Sequence, residues 1–121
     1  MKKQSYGRIV NIASIFGVVS KAKRTAYSAT KWGLIGLTKA VALDLAPNNV
    51  LVNAVSPGFV DTELTRRILS EEKIKMLLDT IPQKRLANAE EIAKMVVFLA
   101  SDQNTYITGQ NIIVDGGFTS A

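Results

Sequence analysis

The amino-acid sequence predicts an α/β protein built on a parallel sheet. Three short runs rich in branched apolar residues, at 8–14, 50–55 and 111–115, are typical of buried strands. Longer segments with apolar residues at helical spacing separate them. Strands that alternate with helices pair in parallel through right-handed crossovers. No repeat or linker interrupts the 121 residues, so we expect one domain or part of one.

The first strand, 8–14, is so uniformly apolar that it is typical of the centre of a sheet. A central strand needs a neighbour on both sides, and we expect one that this chain does not supply. A loop containing Gly17 follows the strand. A helix is then predicted from Tyr27 to about Leu45, because Pro47 and the asparagines after it end the helical pattern.

The second strand, 50–55, should stop at Ser56-Pro57-Gly58, because proline lacks the amide that a strand interior needs. The stretch 62–81 is predicted as one amphipathic helix that ends at Pro82.

The last part of the chain contains another helix and the third strand. Asn88 and Glu91 have the spacing of a capping box, which predicts that the helix begins here. The strand at 111–115 follows and is closed by Gly116-Gly117.

The composition excludes several kinds of site. The chain contains no cysteine and no histidine. It can form no disulfide, no thiolate nucleophile, no Ser-His-Asp triad and no ordinary zinc site from its own residues. We predict no metal site, and acid–base chemistry must use Tyr, Lys, Asp or Glu. No apolar run reaches the length of a membrane span, so we expect a soluble, cytoplasmic protein without a membrane partner.

The net charge of +5 raises the possibility of a nucleic-acid partner. The Lys and Arg residues are scattered, apart from the segment 21–24 and the pair Arg66-Arg67. Scattered charge is typical of a solvated surface, and no nucleic-acid-binding motif accompanies it. We therefore expect no nucleic-acid partner, and a basic binding module is the last-ranked alternative.

Tyr27 and Lys31 form the first candidate for chemistry. Their spacing of four residues places a phenol and an ammonium on one face of a helix. A nearby cation favours the phenolate, which suits a tyrosine to proton transfer without histidine. Such a pair alone is more often an ordinary surface pair. Ser14 and Gly58 change this balance, because they follow two strands at the edge of the sheet where open α/β sheets bind ligands.

Five short motifs follow one another in a specific order along essentially the whole chain. They are Gly7-Arg8-Ile9-Val10-Asn11-Ile12-Ala13-Ser14, Tyr27-Ser28-Ala29-Thr30-Lys31, Asn53-Ala54-Val55-Ser56-Pro57-Gly58 with Thr62, Ile107-Thr108-Gly109-Gln110, and Val114-Asp115-Gly116-Gly117. In this order they resemble the short-chain dehydrogenase/reductase family, and its 3-oxoacyl-acyl-carrier-protein reductase-like branch in particular. The resemblance implies the C-terminal half of a Rossmann-type doubly wound parallel sheet.

The resemblance also implies an oxidoreductase that transfers a hydride between NAD or NADP and a small carbonyl or alcohol substrate. Tyr27 would pass a proton to or from the substrate oxygen. Lys31 would favour the Tyr27 phenolate and hold the nicotinamide ribose, and Ser14 would orient the substrate oxygen. Besides Tyr27 and Lys31, the cofactor contacts implied by the family are Pro57, Gly58, Val60 and Thr62.

Two larger features are implied in the same way. The stretch from Thr62 to about Pro82 would be a mobile flap over the substrate, although an ordinary amphipathic surface helix also explains its pattern. The helix from Tyr27 to Leu45 would form the interface of a homo-oligomer. Gly33, Gly36 and apolar residues on more than one of its faces fit that role.

The chain departs from the family on its N-terminal side. No glycine-rich Gly-x-x-x-Gly-x-Gly turn precedes Ser14, although the family uses that turn to bind the cofactor pyrophosphate. The residue that separates NAD from NADP is absent with it. We therefore expect 1–121 to be a single, truncated partial domain that is inactive by itself. The alternative is a short non-catalytic product that acts only by pairing with another subunit through the helix from Tyr27.

Overall fold

A computed structural model describes residues 1–121, in which strands and helices alternate. The strands are β1 (Gly7–Ile12), β2 (Val50–Pro57) and β3 (Asn111–Val114). The helices are α1 (Thr25–Leu45), α2 (Glu63–Ile68), α3 (Glu71–Thr80) and α4 (Ala89–Ala100). Short 3₁₀ turns lie at Lys2–Gln4, Ile15–Gly17, Ala46–Asn48 and Phe118–Ser120. This alternation confirms the predicted α/β class.

The three strands form one parallel sheet in the order β1-β2-β3. Gly7 lies opposite Val50, and Ala54 lies opposite Asn111. The central strand β2 is almost completely buried. β1 lies at the edge, although its composition is that of a central strand, and Ile12 at its end is 47% exposed. The chain supplies no strand on the outer side of β1.

Helices cover both faces of the sheet. On one face, Ala42 of α1 packs with Val50 and Val52 of β2. Side chains alternate along a strand, so Arg8 and Leu51 point to the opposite face, where α4 contacts β1 and β2. None of the helices combines the length and apolar character that a membrane crossing requires.

The predicted end of the first strand was two residues too late. β1 ends at Ile12, and the amide of Ala13 still donates to the oxygen of Val55 at 2.7 Å. Ser14 leaves the ladder and begins the next 3₁₀ turn. Helix α1 in turn begins at Thr25, two residues before the predicted Tyr27.

The predicted stop of the second strand before Pro57 was wrong. The amides of Ala54 and Gly58 point toward β3, where Gly58 donates to Val114 at 2.9 Å. Successive amides of a strand point alternately to its two neighbours, so the nitrogen of Pro57 faces β1, which has already ended at Ile12. Its missing N–H therefore costs no ladder hydrogen bond.

The single helix predicted over 62–81 was also wrong, because the structure has two helices there. Leu69 is extended, and the Ser70 side chain accepts a hydrogen bond from the amide of Lys73, which starts α3. A serine followed by two glutamates is a typical helix start, so the break was readable. The capping box of Asn88 and Glu91 at the start of α4 is confirmed.

Candidate active site

The predicted site residues lie near the carboxyl ends of β1 and β2, which meet at one edge because the strands are parallel. Ser14 follows β1 by two residues, and Pro57 is the last residue of β2. Tyr27 lies in the first turn of α1, and Lys31 one turn later. Sequence spacing alone indicated this arrangement for Tyr27 and Lys31.

Ser14 is held with its hydroxyl free to donate. Its side chain is only 7% exposed. The amide of Phe16 donates to Ser14 Oγ at 3.2 Å, which caps the 3₁₀ turn. Within the chain the hydroxyl has no acceptor for its own proton, so it can donate to an oxygen of a bound molecule.

Tyr27 and Ser14 share Phe16 as a neighbour. The Phe16 ring packs edge-on against the Tyr27 ring, with centroids 6.2 Å apart. Tyr27 is 43% exposed, and its hydroxyl makes no hydrogen bond within the chain. A phenol that is sterically held but chemically unpartnered can exchange a proton with a ligand.

Lys31 connects α1 to the end of β1. Its Nζ donates to the carbonyl oxygen of Ile12 at 2.9 Å. The same Nζ lies 5.7 Å from the centroid of the Tyr27 ring. An ammonium has three donors, so two remain for a ligand.

The segment after β2 has both close packing and an unused donor. A Cβ on Gly58 would lie 2.7 Å from Asp115 Cα, so only glycine fits here without movement. The amide of Val60 donates to no group of the chain, although its carbonyl accepts from Thr65 Oγ1 at 2.8 Å. Thr62 Oγ1 caps α2 by accepting from the amide of Thr65 at 3.1 Å.

Asp115 organises the turn behind Gly58. Burial acts to raise the pKa of Asp115, but hydrogen bonds from the Thr119 side chain and amide and from the Gly117 amide outweigh it and hold the pKa below its usual range. The carboxylate therefore stays ionised at neutral pH and fixes this turn. Sequence reasoning had noted the motif but gave Asp115 no role.

Sequence reasoning missed the aromatic residues that connect these parts. Phe59 lies edge-on to Phe16 at 6.3 Å and edge-on to Phe118 at 5.1 Å between centroids. The three rings form a row from the end of β1 to the C-terminal turn. Phenylalanines in loops carry no periodic signal, so only the position of Phe16 two residues after Ser14 could have indicated it.

Comparison with known proteins finds relatives over almost the whole chain. Residues 1–119 match the family model described as enoyl-(acyl carrier protein) reductase. The 3-oxoacyl-[acyl-carrier-protein] reductase FabG of Aquifex aeolicus is 50% identical over 117 residues, which are 97% of this chain and 47% of that protein. The oxidoreductase YxjF of Bacillus subtilis is 46% identical over 131 aligned positions, covering 99% of this chain and 51% of that protein.

A solved structure also matches the whole chain. A crystal structure described as a putative NAD(P)-dependent gluconate 5-dehydrogenase from Beutenbergia cavernae, with bound NADP, superposes with a TM-score of 0.94 at 38% identity. The superposition covers all of this chain and 49% of that one. The chain thus spans about half the length of the curated relatives it matches. On the family model and on these relatives, the chain belongs to the short-chain dehydrogenase/reductase family.

Proposed function

We propose that this chain provides the catalytic half of an NAD(P)-dependent oxidoreductase that interconverts a small alcohol and its carbonyl. The observation that carries the proposal is Tyr27 at the carboxyl edge of the sheet, whose hydroxyl is unpartnered and whose ring centroid lies 5.7 Å from the Lys31 ammonium. Open α/β sheets bind their ligands at this edge. Membership of an oxidoreductase family supports the same reaction class.

In this proposal the proton moves at Tyr27. During reduction the phenol gives its proton to the substrate oxygen, and during oxidation the phenolate takes it back. The Ser14 hydroxyl donates a hydrogen bond to the same oxygen and orients it. The Lys31 ammonium lies beside the Tyr27 ring, and its bond to Ile12 keeps it in place.

The residues present fit the nicotinamide end of a dinucleotide. The unused amide of Val60 suits a carboxamide oxygen, Lys31 has donors left for ribose hydroxyls, and Thr62 offers a hydroxyl nearby. Pro57 and Gly58 would lie against the ring. When bound, the nicotinamide accepts or supplies the hydride. The sequence contains no glycine-rich pyrophosphate turn ahead of Ser14.

The chain by itself is therefore proposed to be inactive. Its relatives are about twice as long, and β1 has an unpaired outer edge.

The test compares the 121-residue polypeptide with the polypeptide as it occurs in its source cells, called the native-length protein below. Mass spectrometry gives its mass, and absorbance of reduced nicotinamide follows turnover. We expect a mass well above 13.1 kDa and turnover only by the native-length protein. Stoichiometric turnover by the pure 121-residue chain would falsify the inactivity.

A second candidate function is a non-catalytic module that pairs with another subunit. The observation that favours it is the exposed surface of α1, where Trp32, Leu37 and Leu43 lie on more than one side of the helix and are each more than half exposed. A native mass of 13.1 kDa, together with a co-purifying subunit and no turnover, would support this candidate over the enzyme.

A further inference from the structure

A large cleft opens beside the candidate active site, between the loop after β1 and helix α3. Its volume is about 690 Å³, within the range of small-molecule sites in proteins. Most of its wall is apolar. The apolar side chains are Phe16, Val19, Phe59, Leu69, Met76, Leu77 and Phe118. Such a wall favours an apolar group of a ligand.

All charged residues in the lining are cationic. Lys21 and Arg24 line the cleft from the loop side, and Lys73 lines it from α3. No aspartate or glutamate is among the lining residues. None of these three cations forms an ion pair or donates a side-chain hydrogen bond within the chain, whereas Arg66 and Arg85 each pair with a carboxylate. Three uncompensated cations around an apolar cleft attract an anion.

The cleft reaches the reacting groups through Phe16. The Phe16 ring lines the cleft and packs edge-on against Tyr27, and the Phe16 amide donates a hydrogen bond to Ser14 Oγ. The guanidinium carbon of Arg24 lies 5.9 Å from the centroid of the same ring. A molecule in the cleft therefore lies against Phe16, whose ring packs edge-on against the Tyr27 ring, and has cations along its side.

We propose that this cleft selects substrates that carry a carboxylate together with a short apolar chain, namely hydroxy acids and the matching oxo acids. The inference rests on the proposed function. The apolar wall takes the chain, and Arg24 and Lys73 bind the carboxylate, which a guanidinium can hold with two parallel hydrogen bonds. The basic segment 21–24, an exception to the otherwise scattered charge of the sequence, thereby gains a role in substrate recognition.

The test uses the native-length protein with NAD and NADP and matched substrate pairs. Each pair is a six-carbon hydroxy acid, with the hydroxyl at C3 or C4, and its carboxamide, which has the same shape without the charge. We expect kcat/KM to be about tenfold or more higher for the acid of the preferred pair, because a hydrogen bond to a charged group is worth on the order of a tenfold preference or more. The variants Arg24→Gln and Lys73→Gln should raise KM for the acid and leave the carboxamide within about twofold.

Lys75→Gln is the matched control, because Lys75 lies on the same helix and does not line the cleft. It should leave both substrates unchanged. Equal kcat/KM for acid and carboxamide overturns the selectivity while the proposed function stands. An equal loss for both substrates in Arg24→Gln and Lys73→Gln also overturns it, since that pattern indicates a structural role. No turnover of any pair overturns this inference alone, since the proposed function covers other alcohols and is tested by the turnover assay of the native-length protein.

Discussion

Lys31 and Ile12 are joined by a hydrogen bond of 2.9 Å from the ammonium to a main-chain oxygen. The bond attaches the second turn of α1 to the last residue of β1. It also fixes the position of the charge beside the Tyr27 ring. A long lysine side chain is thereby ordered before any ligand binds, which lowers the entropy that binding must overcome.

Replacement of this lysine is the first prediction. Lys31→Met in the native-length protein should lower kcat/KM by about 10²-fold or more. The variant loses both the charge beside Tyr27 and the N–H groups that would bind the ribose hydroxyls. The dissociation constant of the cofactor, measured by fluorescence quenching, should rise as well. Lys94→Met on the exposed surface of α4 is the control and should change neither quantity. Unaltered cofactor affinity in Lys31→Met would contradict the assigned contact.

Tyr27→Phe tests the proposed proton transfer. The Tyr27 hydroxyl makes no hydrogen bond within the chain, so its removal should change the free energy of unfolding by no more than about 0.5 kcal/mol. In contrast, kcat should fall by about 10²- to 10⁴-fold. Tyr106→Phe is the matched control, since Tyr106 is 94% exposed and far along the chain. An active Tyr27→Phe enzyme would remove Tyr27 from the mechanism.

The start of α4 predicts how stability depends on pH. The pKa of Glu91 is lowered from 4.5 to about 2 by hydrogen bonds from the Arg85 guanidinium and from the Asn88 amide. The folded-state pKa lies below the unfolded one, so this stabilisation is present above about pH 4.5 and is lost as the pH falls toward 2. Thermal unfolding of the native-length protein should show Tm decreasing over this interval.

Glu91→Gln isolates that contribution. The amide of glutamine can still accept from the Asn88 amide but loses the ion pair with Arg85. Its Tm should be lower than wild type at neutral pH and should fall less steeply on acidification. Glu90→Gln, an exposed neighbour in the same turn, should keep the wild-type slope. Identical slopes in all three proteins would show that the Arg85 pair is not retained in solution.

Two glycines provide a matched test of packing. Gly58→Ala places a methyl group 2.7 Å from Asp115 Cα, and this overpacking should lower the free energy of unfolding by about 1–3 kcal/mol. Gly33→Ala meets no atom within 4 Å on α1 and should raise it by roughly 0.5–1 kcal/mol through helix propensity. Urea denaturation measures both. A neutral Gly58→Ala would mean that β3 moves easily away from the end of β2.

The exposed surface of α1 predicts an oligomer in the native-length protein. Leu37→Glu replaces an exposed apolar side chain of α1 with a charge and should lower the mass measured by light scattering. Leu64→Glu, at an equally exposed leucine on α2, should leave the mass unchanged. If Leu37→Glu keeps the wild-type mass, the subunits associate through another surface.

The order of elements was predictable because each strand and helix carries its own periodic signal. Because these signals are local in sequence, β1 and β2 form at their apolar runs, the capping box forms at Asn88, and Tyr27 and Lys31 lie one turn apart on α1. Element ends were less predictable. Whether Pro57 stops a strand depends on which side of β2 it faces, and that depends on where β1 ends.

The surroundings of the site could not be predicted for a related reason. Phe16, Phe59 and Phe118 are distant in sequence and come together only when the sheet and the C-terminal turn are assembled. The cationic lining of the cleft likewise combines Arg24 with Lys73 from a different helix. Contacts between loops depend on tertiary structure, and no spacing rule within a single segment reports them.

The unpaired outer edge of β1 determines how a further strand can pair with the sheet. A strand docked there is held by main-chain amides and carbonyls, which are the same whatever the side chains are. This pairing tolerates different side chains on either strand, provided that the twist and length of the two strands match. A strand from a different sequence can therefore pair with this edge through the same main-chain hydrogen bonds.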